Sequence, residues 1–348
     1  MINNDDPPIE VEGTRSSEVT SQRERITVDK LNVKFGTKHV IKNVSFKIYE
    51  GEINGFLGIS GAGKTTIIRV LTCQIPKKNW TGSVKIDGLT PGKGRNRAKI
   101  MQKIGYVPQL EELNLYHDLS PIENVKIFAS TYGIPNKEAV EIAKKYFKIL
   151  DVPEDTWKQK VKKMSGGEKK RVSIALGLIH EPTILFLDEP TTGVDASKRY
   201  DILNYLKKLN RQLGTTMVII THDLEAALIC DTTSIIRLGE LLEHDTPQKL
   251  IGSLPSQGRI IKLVIEGLDS KMMRFIKNQS HVKHVMRGGN EIVEIIMDGI
   301  EQNYSTLVES ILQEGMKIHE ITREVTSFRR YFQLRIQVEE ERTAMGDA

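Results

Sequence analysis

The sequence predicts an α/β fold: a doubly wound, mainly parallel sheet with an antiparallel β layer beside it, followed by a smaller α+β unit. Three observations predict it. Short apolar runs alternate with helical stretches from Ile53 to about residue 252, the pattern of parallel strands joined by crossover helices. Two runs between Ile26 and Ile48, and a third over Thr81–Gly88, fall outside that alternation and read as the antiparallel layer. Beyond a turn-rich break at Ser253–Gly258 the order changes to strand, helix, strand, strand, helix, strand.

The bulk numbers suit such a chain. At 348 residues it is too long for one typical domain and comfortable for two. A hydrophobic share of 39% and a charged share of 27% are those of an ordinary globular protein. The net charge of +5 comes with no basic block, so nucleic acid is not an expected partner. Cys73 and Cys230 lie far apart in apolar segments and read as buried thiols in a reducing compartment. The start, Met1 to Asp6, has no basic n-region or apolar core of a secretory signal. No apolar run approaches the ~18 to 20 residues of a membrane helix. The expectation is a soluble, intracellular chain whose membrane role, if any, comes through a partner.

In order, residues 1–24 are polar, with little to bury, and read as a disordered lead-in. Val44, Phe46 and Ile48 alternate cleanly with polar residues, and Phe35-Gly36 marks the turn before that strand. Ile53–Leu57 is a short buried strand, and Lys64–Cys73 a helix carrying Ile67, Ile68, Val70 and Leu71. Ile104–Gln109 is a strand running into a polar stretch, and residues 120–150 are helical with a break near Tyr132–Pro135. Met164–Glu168 opens an amphipathic helix with Val172, Ala175, Leu176 and Ile179. Ile184–Leu187 is a strand ending in Asp188-Glu189-Pro190. The helix bearing Ile202, Leu206, Leu209 and Leu213 stops at Gly214. Met217–Ile220 is a strand ending in Thr221-His222-Asp223, and Ser234–Arg237 and a short helix near Gln248 finish the first unit.

That unit spans 25–252, with a helical subdomain at about 112–180. The second, 259–325, has strands at Ile260–Ile265, Val282–Met286, Ile292–Met297 and Met316–Ile321. Gly288-Gly289-Asn290 joins the middle pair as a hairpin, and Tyr304, Leu307, Val308, Ile311 and Leu312 make a helical stripe. The order βαββαβ is ferredoxin-like. Residues 326–348 read as a C-terminal tail.

The chemistry concentrates at strand ends. Gly58, Gly63, Lys64 and Thr65 fit G-x-x-x-x-G-K-[ST] between a strand and a helix. Glycines let successive N–H groups point at an anion, Lys64 adds a charge for β- and γ-phosphates, and Thr65 offers a hydroxyl to Mg²⁺. Asp188 and Glu189 end a buried strand on the sheet edge where ligands bind; Asp188 suits Mg²⁺, and Glu189 suits an attacking water. Ser165-Gly-Gly-Glu168 fits S-x-x-E, which alone is a helix-capping box, while its glycines also suit an approaching anion. His222 is either a satisfied core histidine or a donor to a γ-phosphate. Gln109 alone is a loop amide, and Phe35 alone is core or a stacking platform.

Together these pieces resemble the ATP-binding subunit of an ABC transporter, over roughly residues 26–250. Gly58–Thr66 resembles the family's Walker A, Gln109 its Q-loop, Ser165–Glu168 its signature, Ile184–Glu189 its Walker B, Gly193–Asp195 its D-loop and His222 its switch histidine. Phe35 falls where an adenine-stacking aromatic is expected. His117–Asn124, Tyr132–Pro135 and the long tail with Ser327–Phe332 resemble the drug- and lipid-export branch. The departures are Ser60 for Asn, Met164 for Leu, Glu168 for Gln, Val194 for Leu, and Arg329-Arg330 where acids are common.

The resemblance implies a P-loop NTPase fold of ABC type that hydrolyses ATP with Mg²⁺. It implies catalytic roles for Glu189, His222 and Gln109, and Mg²⁺ held by Thr65, Gln109 and Asp188. ATP would lie on Phe35, Gly58, Ile59, Ser60, Gly61, Ala62, Gly63, Lys64, Thr65 and Thr66. Ser165, Gly166, Gly167 and Glu168 of a second copy would complete the site, with Asp195 communicating across the dimer. The partners implied are a second ATP-binding subunit, in a homo- or heterodimer, and a separate permease exporting a drug-like, lipid or polymer substrate, which would hold the chain on the cytoplasmic face of the membrane, with residues 112–150 docking its coupling helix. Two further readings stay open: a soluble ABC-type ATPase acting on ribosomes or DNA, and an importer ATPase whose C-terminal unit senses a ligand.

Overall fold

The computed structural model describes residues 23–92 and 94–344. The lead-in expected over 1–24 lies outside them except for Arg23 and Glu24, and Glu24 already opens a strand. β1 (Glu24–Phe35) and β2 (Lys38–Tyr49) form an antiparallel hairpin turned at Gly36, whose φ of 58° suits a residue without Cβ. The strands' alternation puts Val44, Phe46 and Ile48 into the core. β3 (Ile53–Leu57) is buried at every position, including the polar Asn54, whose amide donates to Thr232 Oγ1 at 2.6 Å. It runs through the phosphate-loop segment into α1 (Lys64–Leu71). β4 (Trp80–Ile86) then returns to pair antiparallel with β1, giving a sheet of order β2-β1-β4.

The large sheet is built from β3 together with β5 (Ile104–Val107), β6 (Ile184–Asp188), β7 (Thr216–Thr221), β8 (Thr232–Arg237) and β9 (Glu240–Asp245), in the order β5-β6-β7-β3-β8-β9. Every pairing is parallel except β8 with β9. Register decides the site: Leu57 lies beside Thr221, and Asp188 beside Ile220. The carboxyl ends of β3, β6 and β7 therefore open on one edge.

The connections carry α2 (Gly94–Met101), α3 (Pro121–Thr131), α4 (Asn136–Ile149), α5 (Gly166–Gly177) and α6 (Ala196–Leu213), and α7 (Pro247–Gly252) follows the sheet's last strand. Val125, Ala129, Ala143 and Phe147 of α3 and α4 share one apolar cluster with Val172 and Ala175 of α5 and with Leu185, Leu187 and Ile219 of the sheet. The expectation of an amphipathic α5 is corrected here. Sandwiched between that helical layer and the sheet, α5 buries Lys170 and Ser173 as fully as Val172 and Ile174. Cys230 is buried, but Cys73 only half-buried, both as free thiols.

Past the irregular turn at Pro255–Gly258, β10 (Arg259–Ile265), α8 (Ser270–Lys277), β11 (Val282–Arg287), β12 (Ile292–Met297), α9 (Ile300–Gln313) and β13 (Ile318–Val325) follow in the order βαββαβ. Their strands make an antiparallel sheet of order β11-β12-β10-β13 over a separate core with Ile261, Leu263, Ile295, Leu307 and Ile311. The segment expected as a tail is the second correction: Phe328–Ala344 is a 17-residue helix, α10. Its charged composition hides a stripe of Phe328, Tyr331, Phe332 and Ile336, buried against Leu57, Ala227, Ile235 and Leu250. Leu334 packs on Ile260 and Ile296, and Arg330 pairs with Glu294 at 2.5 Å, so α10 joins the two sheets.

Candidate functional site

At the shared edge lies a cleft of about 580 Å³, lined by Val40, Ile59–Thr66, Gln109, Asp188, Glu189, Ile220 and His222. Each wall has a local cause. The loop after β3 curls because Gly61 and Gly63 take φ of 79° and 108°, which side-chain-bearing residues rarely adopt. Gly58 is a matter of packing, since a Cβ there would meet the Ile236 carbonyl at 2.4 Å. Among the described residues, apart from Gly61's own chain neighbours, no atom lies within 4 Å of where a Gly61 Cβ would stand, so the curl faces open space, as an anion cradle requires.

Lys64 is folded back over this loop, its Nζ donating to the carbonyls of Gly58 at 2.6 Å and Ile59 at 3.0 Å. Burial pushes its ammonium below the usual lysine range, opposed by Glu189 and Asp188 nearby. That is a charge held where its natural partner is an anion. Asp188 ends β6 and accepts from the Tyr106 hydroxyl at 3.1 Å. Burial and the neighbouring Glu189 carboxylate raise it, against the Tyr106 bond, Arg69 and Lys64. A bound cation at Asp188 would reverse that cost, so the donor set fits Mg²⁺ beside Thr65.

Glu189 has φ of 50°, a left-handed conformation that costs on the order of 1 kcal/mol or more for a side-chain-bearing residue. Its N–H donates to Ile220 O at 2.7 Å, which fixes the turn. Its carboxylate accepts from Thr221 Oγ1 at 2.8 Å, Thr192 Oγ1 at 3.3 Å, His222 N at 3.1 Å and His222 Nδ1 at 2.8 Å. The contact through Nδ1 leaves Nε2 as the ring atom for another partner. The open alternative for His222 thereby narrows: it is half out in solvent, at 64% side-chain exposure, and not a core histidine.

Other expected residues stand apart. Phe35 ends β1, is 44% exposed and does not line the cleft, although Val40 of the same hairpin does. Ser165 caps α5 with Glu168 in a complete capping box: Ser165 Oγ accepts from Glu168 N at 3.3 Å, and Ser165 N donates to Glu168 at 2.7 Å. Ser165 and Gly167 border a different cavity of about 170 Å³, with Asp151, Arg171, Lys198 and Tyr205. Gly166 faces the Gly193 carbonyl. Asp195 precedes α6 with its carboxylate exposed, 3.8 Å from Lys198 Nζ.

Sequence reasoning missed Tyr106, which reads as an interior strand residue, and Gly239. A Cβ at Gly239 would lie 2.0 Å from the Val40 carbonyl, and its N–H donates to Ala62 O at 2.9 Å. This close turn between β8 and β9 props the phosphate loop, and the only trace of it in the sequence is a lone glycine after Leu238.

Known proteins carry the same pattern. The ABC transporter family profile matches residues 41–192. The linearmycin resistance ATP-binding protein LnrL of Bacillus subtilis (strain 168) is 33% identical over 286 residues, covering 82% of this chain and 88% of that protein. A methionine import ATP-binding protein, MetN 1 of Bacillus cereus, is 33% identical over 229 residues, 64% of this chain and 63% of that protein. Among solved structures, the dimeric post-hydrolysis state of the ATP-binding cassette MJ0796, bound to ADP and Pi, has a TM-score of 0.56 and 29% identity. It covers 64% of this chain and 98% of the other. The chain belongs to the ABC transporter family as an ATP-binding subunit, an ATPase of the cassette fold.

Proposed function

We propose that this ATPase drives export of a drug-like or lipid molecule through a separate membrane permease, as two copies arranged head to tail on the cytoplasmic face. The observation that carries the site reading is the split. Ile59–Thr66, Gln109, Asp188, Glu189 and His222 share one cleft, while Ser165 and Gly167 border another cavity of the same chain. In this reading Ser165, Gly166 and Gly167 of a second copy, with Glu168 behind them, close over the first copy's cleft.

The roles follow from position. Loop N–H groups and Lys64 bind the phosphates, with Lys64 exchanging its carbonyl partners for phosphate oxygens. Thr65, Asp188 and Gln109 would hold Mg²⁺, which neutralises charge on the β- and γ-phosphates. Glu189 takes the proton of the attacking water, and its strained turn and four donors fix the carboxylate for that task. His222 holds the γ-phosphate through Nε2. Phe35 stacks on the adenine at the cleft's rim, and Asp195 reports across the dimer. Loss of the γ-phosphate removes contacts on both sides and lets the copies part.

Residues 25–252 are read as the nucleotide-binding domain, with its helical part at about 112–180 facing the permease, and 259–325 as an accessory domain. Export is favoured because, at like coverage of the chain, a protein named for linearmycin resistance is 33% identical over 82% of it and a methionine import ATP-binding protein 28% identical over 83%. The likeness to methionine import ATP-binding proteins supports a second reading, an importer subunit whose C-terminal sheet senses a ligand.

Capture of the tagged chain from detergent-solubilised membranes tests the partner, with a protein of several membrane helices as the expected prey. Vesicles carrying that complex then test direction. ATP-dependent movement of amphipathic compounds away from the ATP side supports export, and movement of a small polar solute toward it selects the importer reading. Recovery of ribosomes or DNA without a membrane protein would sink both.

A further inference from the structure

Lys170 lies in the second turn of α5 and has no solvent exposure at all. Lysine is almost never fully buried unless its charge is paired, because removing an ammonium from water is costly. Here Nζ donates to the main-chain carbonyl of Gln109 at 2.9 Å and pairs with Glu111 Oε1 at 2.7 Å. One turn farther along α5, the buried Ser173 Oγ donates to Asn114 Oδ1 at 2.9 Å, and Asn114 Nδ2 donates back to Ser173 O at 3.4 Å. Segment 109–114, which starts with the glutamine lining the cleft, is thus fastened at two points to the helix that starts with Ser165–Gly167. The tie uses Gln109's main chain, so its amide is not spent on it.

We propose that Lys170 is a positioning residue that makes Gln109 and the start of α5 one moving unit. What Gln109 meets in the chain's own cleft then sets where the same chain presents Ser165–Gly167 to a second copy. An apolar side chain of similar length would fill the space, but it would lack the directional bonds to the Gln109 carbonyl and Glu111 that fix the start of the segment. The inference rests on the reading that the start of α5 completes a second copy's site.

The test compares Lys170→Met and the neutral pair Glu111→Gln/Lys170→Met with wild type, each also in a Glu189→Gln background. The neutral pair leaves no unpaired charge, so a purely structural role would be restored by it. The expected result is ATP affinity of the isolated chain within about threefold of wild type, with kcat lowered at least about tenfold in both variants and KM little changed. ATP-driven dimerisation of the Glu189→Gln chain, read by size exclusion, should weaken in parallel. A neutral pair that turns over and dimerises like wild type overturns the inference. A Glu189→Gln chain that never dimerises overturns both this inference and the shared-site reading, whereas one that dimerises equally with and without Lys170 overturns this inference alone. Where the Lys170 variants fail to fold, Ser173→Ala removes the second tie with one lost oxygen. It should lower kcat about threefold at unchanged KM, and an unchanged kcat overturns the tie.

Discussion

Gly58–Thr66 and Ser165–Glu168 both lead glycine-rich chain into a helix, but their glycines answer different needs. In the first, Gly61 and Gly63 take left-handed φ, and a Cβ at Gly58 or Gly63 would collide with Ile236 or Ile41. The fold itself demands them. In the second, Gly166 and Gly167 have no left-handed φ, and an added Cβ would find its nearest neighbours at 3.4 Å and 3.8 Å, which is ordinary contact. Nothing inside the chain asks for glycine there. A third stretch sharpens the point: Ser120-Pro-Ile-Glu123 makes the same capping box on α3, with its serine buried and without glycine. Capping therefore accounts for the Ser and Glu of the Ser165 stretch but not for its glycines, which points to something approaching from outside.

The comparison predicts that damage to the glycines of the first stretch acts within one chain, and damage to those of the second acts between chains. The largest effect belongs to Glu189→Gln, expected to lower turnover by about 10²- to 10⁴-fold while leaving ATP bound and dimers trapped. Single-turnover hydrolysis and size exclusion measure both, and a fully active monomer would break the scheme. Lys64→Ala comes next. It removes a charge-assisted contact to phosphate, about 1.5–3 kcal/mol, so titration of the isolated chain should show ATP binding weakened by about 10- to 100-fold. Unchanged affinity would reject the phosphate-loop reading.

Much of this was legible because strand ends and motif spacing carry it. Ile184–Leu187 and Met217–Ile220 announce themselves by unbroken apolar runs, and Ile53–Leu57 by its place just before the phosphate-loop glycines; parallel pairing then forces Lys64, Asp188, Glu189 and His222 onto one edge. What escaped depends on contacts between segments distant in sequence. β9, Glu-Leu-Leu-Glu-His-Asp, is a half-buried edge strand without clean alternation. α10 looked like a charged tail because its apolar stripe has meaning only against Ala227 and Leu250. Lys170 stands between Lys169 and Arg171 and is indistinguishable from a solvated basic run until α5 is seen packed on both sides. Tyr106 becomes part of the site only because β5 pairs with β6.

Smaller effects test the second stretch. Gly166→Val adds bulk at a helix start where, among the described residues, a Cβ would meet nothing nearer than the Gly193 carbonyl at 3.4 Å, and valine is a slightly better helix former than glycine, by a few tenths of a kcal/mol. Stability and the ATP affinity of the isolated chain should hold, while turnover falls about tenfold or more, because in the proposed dimer the valine side chain would stand where a second copy's phosphates come. Normal turnover would return Ser165–Glu168 to a purely structural cap. The finest test sets the two capping serines against each other. Ser165→Ala and Ser120→Ala each remove one side-chain acceptor from a helix start, so each should cost about 1 kcal/mol in urea unfolding. Their turnover should part company. Ser120→Ala should lose stability alone, while Ser165→Ala should also lose a hydroxyl that, in the proposed dimer, faces the second copy's ligand, and slow hydrolysis severalfold. Equal turnover in the two would mean that the Ser165 hydroxyl does no more than its buried counterpart, and that the main chain of Gly166 and Gly167 alone meets the anion.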